Sequence, residues 1–206
     1  MAAPNRVYDS RSGCRTLWAE PIAGGLCSAA NNYNNGAASG WVSMSGSEHL
    51  DELAWLLERR RLEDLIIRYA TALDIRDWAD LRACFTDDAV ADYGNLGRYE
   101  GVEAILQGCR EPLSRLDSSQ HLISNVVAQM TGDGRATVTA KVQAQHFLVN
   151  SGGEATATIG GTYVDEVVRG EDGWRIAKLT FSTTWRTGNS AILAPKPEPD
   201  RFGRSV

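Results

Sequence analysis

The stretch Arg135-Ala-Thr-Val-Thr-Ala-Lys-Val-Gln-Ala-Gln-His-Phe-Leu148 alternates with a period of two. Ala136, Val138, Ala140, Val142, Ala144, His146 and Leu148 share one side, and Thr137, Thr139, Lys141, Gln143 and Gln145 share the other. This is a long strand with one apolar face. Working outward, Thr131-Gly-Asp-Gly134 and Asn150-Ser-Gly-Gly153 bracket it as hairpin turns, and Gly170-Glu-Asp-Gly173 supplies a third. The turns divide the second half of the chain into strands at 121–130, 135–149, 155–169 and 174–185. Consecutive hairpins make a long, strongly curved antiparallel sheet. In its last strand Ala177, Leu179, Phe181, Thr183 and Trp185 are expected to share the inner face.

The first half of the chain reads as helical. Leu53, Leu56 and Leu57 open an amphipathic pattern that Leu62, Leu65, Ile66, Tyr69 and Leu73 continue, and Asp74-Ile-Arg-Asp77 ends it. Asp77 has the character of an N-cap for a short second helix carrying Trp78, Leu81 and Phe85. Thr86 to Gly94 reads as a turn, a short strand and a stop, and Gly101-Val-Glu-Ala-Ile-Leu-Gln107 as a third helix. Helices first and strands last predict an α+β domain with the helices packed on one face of the sheet. A concave apolar face closed by helices encloses a pocket, the usual form of a small-molecule site.

Composition narrows the function classes. The chain has 206 residues, a hydrophobic fraction of 43% and a net charge of −5. That is enough for one core, and the absence of a basic stripe excludes nucleic acid as the expected partner. Arg59-Arg60-Arg61 reads as the solvated face of a helix. The four cysteines form no C-x-x-C pair and no zinc spacing; Cys84 reads as a buried thiol, and a reducing cytoplasm is the expected location. No apolar run reaches the length of a membrane span, so no membrane partner is expected. Residues 1–46 are rich in Gly, Ala, Ser and Asn without a period and are expected to be a disordered or non-native extension, with translation starting at Met44. The domain is expected over 47–190. Pro195, Pro197 and Pro199 mark a tail over 191–206 that continues neither strand nor helix.

Chemistry concentrates around Asp74. A carboxylate at the C-terminal end of a helix opposes the partial negative charge of the unpaired carbonyls there. Orienting a histidine would give it a reason. His121 would be the base, Asp74 would hold its tautomer, Tyr93 would donate to an oxygen where negative charge develops, and His146 would protonate a departing hydroxyl. Each has a plainer reading: Asp74 as a loop residue, His121 as a strand-start residue, His146 as a satisfied core histidine, Tyr93 as a core aromatic. Asp165-Glu166 reads as solvated strand surface.

The order of these parts resembles a known family. A helix, Asp74-Ile-Arg-Asp-Trp78, a short strand ending in Tyr93, Gln120-His121 and long strands with Asp172-Gly-Trp-Arg-Ile176 follow the layout of SnoaL-like proteins. These lie within the nuclear-transport-factor-2-like superfamily. The resemblance runs from about Leu50 to Gly188 and implies a cone-shaped α+β barrel. In functional motif the chain is similar to scytalone dehydratases, which implies Asp74, His121, His146 and Tyr93 as catalytic residues. Tyr69, Trp78, Phe85, Asn125, Tyr163, Phe181 and Trp185 are the expected substrate contacts. Leu73 stands where those enzymes have a second tyrosine, and Tyr163 near where they have an asparagine. Gly160-Gly-Thr-Tyr163 is shared with hexachlorocyclohexane dehydrochlorinases. The resemblance implies a lyase that needs no metal or organic cofactor, acting on a small hydrophobic cyclic or polyketide-like substrate, in a dimer or trimer. Its alternatives are an isomerase or cyclase on the same pocket, and a non-catalytic binding or assembly subunit like the small subunit of ring-hydroxylating dioxygenases.

Overall fold

The computed structural model describes residues 46–132, 134–150 and 152–193. The expected N-terminal extension up to residue 45, the start at Met44 and the tail from residue 194 lie outside them. Three helices precede most of the strands: α1 (Gly46–Ile75), α2 (Trp78–Ala83) and α3 (Val102–Leu113). Six strands follow one another as β1 (Phe85–Asp92), β2 (Arg98–Glu100), β3 (Ser118–Gly132), β4 (Arg135–Phe147), β5 (Thr156–Gly170) and β6 (Gly173–Gly188). They form one sheet in the order β2-β1-β6-β5-β4-β3. The sheet is curved but open, with β2 and β3 as its edges, and β1 runs parallel to β6 rather than antiparallel. Phe85 opens β1 instead of closing the second helix.

The alternation in β4 is realised: Ala136, Val138, Ala140, Val142, Ala144 and His146 are all buried. On β5, Ala157, Ile159, Tyr163 and Val167 point the same way and are buried too. Helix α1 packs on this concave face through Leu62, Leu65, Ile66, Tyr69 and Leu73. Each such side chain contributes roughly 1.5–3 kcal/mol through burial. The expected start of the pattern does not join the core. Leu53, Leu56 and Leu57 are about half exposed, because the helix runs past the sheet before Glu58. Glu58 marks where contact begins: it accepts from Trp174 Nε1 (2.8 Å) on β6 and pairs with Arg169 (3.2 Å) on β5.

Two bulges re-aim β6. Register shifts opposite Glu166/Val167 and Gly160/Gly161 leave Ala177 and Thr184 as extra residues. The expected inner row of Ala177, Leu179, Phe181, Thr183 and Trp185 is therefore broken at both ends. Past the second bulge, Trp185 faces outward and Arg186, paired with the buried Ile159, faces inward. A Cβ on Gly160 would lie 2.1 Å from the Trp185 ring, so only glycine leaves the indole its place on the outer face.

Asp165 corrects another expectation. It is 1% exposed, pointing inward between Tyr163 and Val167, while Glu166 alone reaches the surface and pairs with Lys178 (2.9 Å). Burial raises the Asp165 carboxyl well above its ordinary value of 3.8, against a hydrogen bond from the Thr180 backbone, and Oδ1 has no partner among the described residues. The folded protein therefore keeps a proton that the unfolded chain releases. Stability from this site is full below the unfolded pKa and is lost as pH rises toward the folded one. Asp165→Asn retains an acceptor for Thr180 and abolishes the titration. Urea unfolding should show a constant offset between the two proteins below pH 4. Above it, the variant should gain over wild type by up to about 1.4 kcal/mol per pH unit. Parallel profiles from pH 4 to 8 would mean that Asp165 is ionised in the fold.

Candidate active site

Asp74 lies in the last turn of α1, and β3 crosses that helix end. Three donors converge on its carboxylate. His121 Nδ1 lies 2.7 Å from Oδ1, the His121 backbone N–H donates to Oδ2 at 2.7 Å, and Ser119 Oγ donates to Oδ1 at 3.0 Å. Burial works to raise the Asp74 pKa, but the bonds from His121 and Ser119 outweigh it and hold the carboxylate below its ordinary value. An ionised carboxylate only accepts, so Nδ1 carries the hydrogen, which in the neutral ring leaves the lone pair of His121 on Nε2.

Arg76 fixes this corner. Its backbone is left-handed (φ 58°), which folds the guanidinium back beneath the helix end. It donates to the Asp74 carbonyl, to Ser119 Oγ (3.3 Å) and to the Leu113 and Leu116 carbonyls (3.1 and 3.5 Å) at the end of α3. One side chain thus caps carbonyls at two helix ends and braces the serine that braces the carboxylate. Neither Ser119 nor Arg76 belonged to the expected site. The parity of β3 was the available signal for Ser119, which shares the inner face with His121.

The histidine rings border a cavity of about 660 Å³. His121 and His146 stand edge to face, with centroids 5.7 Å apart. His146 Nδ1 lies 3.3 Å from the Ala157 carbonyl, which can only accept, so its Nε2 is an acceptor in the neutral ring. Burial first, and then the neighbouring His121, push the His146 pKa down to about 4. The expected role of His146 as a proton donor to a leaving group does not fit this arrangement.

Tyr69, Tyr93, Tyr163 and Phe181 line the same cavity, with Leu73 and Ile159 among its apolar wall. The Tyr69 and Tyr93 hydroxyls are 3.0 Å apart. Tyr69 sits one helical turn before Leu73 on the same stripe of α1, and from there it gives Tyr93 a tyrosine partner. Burial raises both phenols well above their ordinary value, which keeps them protonated as donors. Cys109 lies 3.6 Å from Tyr93 Oη, and burial lifts its thiol to about 11.

Four expected contacts stand elsewhere. Phe85 is buried behind Tyr69, edge to face at 5.7 Å. Trp78 lies beneath Arg110, whose guanidinium carbon is 5.3 Å from the ring centroid. Asn125 is exposed at a bulge in β3, where its left-handed backbone (φ 51°) takes the extra residue. Trp185 is on the outer face. Among the described residues no group of three His, Cys, Asp or Glu side chains is placed to hold a metal ion, and no helix is long and apolar enough to cross a membrane.

Residues 54–180 match the SnoaL-like domain, and the chain belongs to that family. It is 30% identical over 143 residues to terrestric acid biosynthesis cluster protein E of Penicillium crustosum, across 67% of this chain and 90% of that protein. Among solved structures it is similar to hexachlorocyclohexane dehydrochlorinase LinA-type3 of Novosphingobium barchaimii LL02 (TM-score 0.59, 23% identity, 72% of this chain and 99% of that one). It is equally similar to a proposed scytalone dehydratase of Novosphingobium aromaticivorans (TM-score 0.60, 24% identity, 65% of this chain and 89% of that one). At these identities the two structures share a fold with it. The α+β architecture with one curved, open sheet is therefore common to all three.

The protonation state of His146 can be followed directly. Nitrogen-15 NMR of the rings should show His146 neutral at pH 6, with its hydrogen on Nδ1, and protonated only near pH 4. A midpoint near the ordinary histidine value of 6.5 would show that the cavity wall is wet at that ring.

Proposed function

We propose that this SnoaL-like protein is a cofactor-independent lyase that eliminates water or halide from a small, largely apolar substrate. The observation that carries the reading is the Asp74–His121 pair, which presents an imidazole lone pair to a cavity with two protonated tyrosines on its wall. Elimination needs a base, a group that orients it and a donor at the oxygen where charge accumulates. These side chains supply all three.

His121 Nε2 takes the proton from the carbon next to a carbonyl. Asp74 holds Nδ1–H and stabilises the imidazolium as it forms. Tyr93 and Tyr69 donate to the carbonyl oxygen as it gains negative charge. The electron pair of the broken C–H bond becomes the new double bond, and the bond to the leaving group breaks. A leaving hydroxyl receives the proton carried by His121 and departs as water; a halide departs as the anion, and the imidazolium then returns its proton to solvent. His146 Nε2 accepts a hydrogen bond from the substrate hydroxyl and orients it before the step. The apolar wall supports an aromatic or alicyclic body, in keeping with the dehydrochlorinase among the structural relatives and with a relative named for a biosynthetic cluster.

The test is a screen of hydroxylated and halogenated cyclic ketones for elimination, followed by variants on the best substrate. His121→Ala and Asp74→Asn should each lower kcat/KM by about 10²–10⁴-fold. Tyr93→Phe should lower kcat by roughly 10-fold or more with little change in KM, as expected of a donor used in the transition state. Turnover that survives His121→Ala would end the assignment of His121 as the base, and binding without turnover across the screen would favour a carrier or assembly role.

A further inference from the structure

Arg186 occupies a position on the cavity rim that the elimination chemistry does not use. The Thr184 bulge turns it to the concave side of β6 and sends Trp185 outward. Bulges beside active sites commonly re-aim a side chain in this way. The strand register then places four residues in one row across the concave face: His121 on β3, Ala144 on β4, Ile159 on β5 and Arg186 on β6. All four line the cavity. Three strand spacings separate the ends of this row, about 14 Å between backbones. The base stands at one end, a cation at the other, and an apolar floor of one small and one branched side chain lies between.

The charges on the rim are unbalanced. Glu111 also lines the cavity but is paired with Arg115 (3.2 Å). Arg186 makes a single side-chain hydrogen bond among the described residues, a long one to Thr183 Oγ1 (3.4 Å). It enters no ion pair among them. The neighbours that share the lining on that side, Thr158, Thr187 and Ser190, are neutral. A guanidinium presents a planar fork that matches a carboxylate in two parallel hydrogen bonds.

We propose that Arg186 receives a carboxylate on the substrate, at the opposite end of the molecule from the carbon that His121 deprotonates. The substrate class is then an apolar cyclic acid spanning the Ala144–Ile159 floor. This rests on the lyase reading for the role of His121, but the carboxylate site is tested by binding alone. The guanidinium is exposed at the rim, so exchanging it leaves the core and the Asp74–His121 pair undisturbed.

The probes are 2-naphthoate and its neutral analogue 2-naphthamide, titrated against the full chain while the His121 and His146 ring signals are followed by NMR. Both should shift the rings, and naphthoate should bind about tenfold more tightly, the scale of one charge-assisted pair near the surface. Arg186→Gln should erase most of that difference and leave naphthamide affinity unchanged. Arg186→Lys should keep part of it, since the charge remains without the fork. Equal affinity of the two probes for wild type, or a preference that survives Arg186→Gln, would overturn the carboxylate site while leaving the lyase reading intact. Histidine signals that respond to neither probe would remove the cavity as a binding site and both readings with it.

Discussion

The Asp74 carboxylate is the point on which the site turns. It occupies the end of α1 where the helix's own carbonyls make a negative charge unwelcome. Two N–H groups of His121 and the Ser119 hydroxyl answer that charge, and all three come from one strand. The same bonds that make the carboxylate tolerable therefore fix β3 against α1. They also fix the plane of the His121 ring. For the base of the proposed elimination, structural and chemical roles are not separable, since a side chain held between a strand and a helix is oriented more precisely than one on a loop. Arg76 extends the arrangement to α3 by taking up carbonyls at both helix ends. Its left-handed backbone costs about 1–2 kcal/mol, and its several charge-assisted hydrogen bonds offset that.

Burial then sorts the remaining groups by charge. Around the two histidines, burial favours the neutral form of the phenols, the thiol and the inner imidazole. Tyr69, Tyr93 and Cys109 keep their protons, and His146 stays without one. The Asp74 carboxylate stays ionised, because hydrogen bonds outweigh its desolvation. The outcome is one negative charge behind the base and neutral donors around it. On the proposed lyase reading, that arrangement accepts an imidazolium beside Asp74 and an enolate beside the phenols, the charge separation elimination needs.

Much of this was legible in the sequence, for definite reasons. The period of two in β4 put His146 on the inner face because nothing interrupts that strand. Asp74 stood out because its position violates a helix-end preference. The same parity, carried along β5 from Ala157 through Tyr163, reaches Asp165, yet residue type argued for surface. Position overrode type there, and the carboxyl went into the core without a full set of partners. Ser119 and Arg76 carry no pattern of their own, since a hydroxyl and a folded-back guanidinium are recognised only once the strand crosses the helix end. The exposed Leu53, Leu56 and Leu57 show the converse limit: periodicity reports a helix face, but not whether anything covers it.

The bulges were the least legible feature and have the largest effect on the site. A bulge is a relation between two strands, set by which residue of one stands opposite two of the other, so no single-strand period contains it. In β6 the shift at Thr184 exchanges Trp185 for Arg186 at the cavity, an aromatic wall for a cation. Gly160 records the shift in the neighbouring strand, since any side chain there would collide with the displaced indole. A glycine in the middle of a long strand is ordinarily a weakness. Here it is the condition for the exchange, and it links the outer face of the sheet to the polarity of the pocket. The Gly160–Trp185 contact thus bears on the polarity of the pocket as much as on packing.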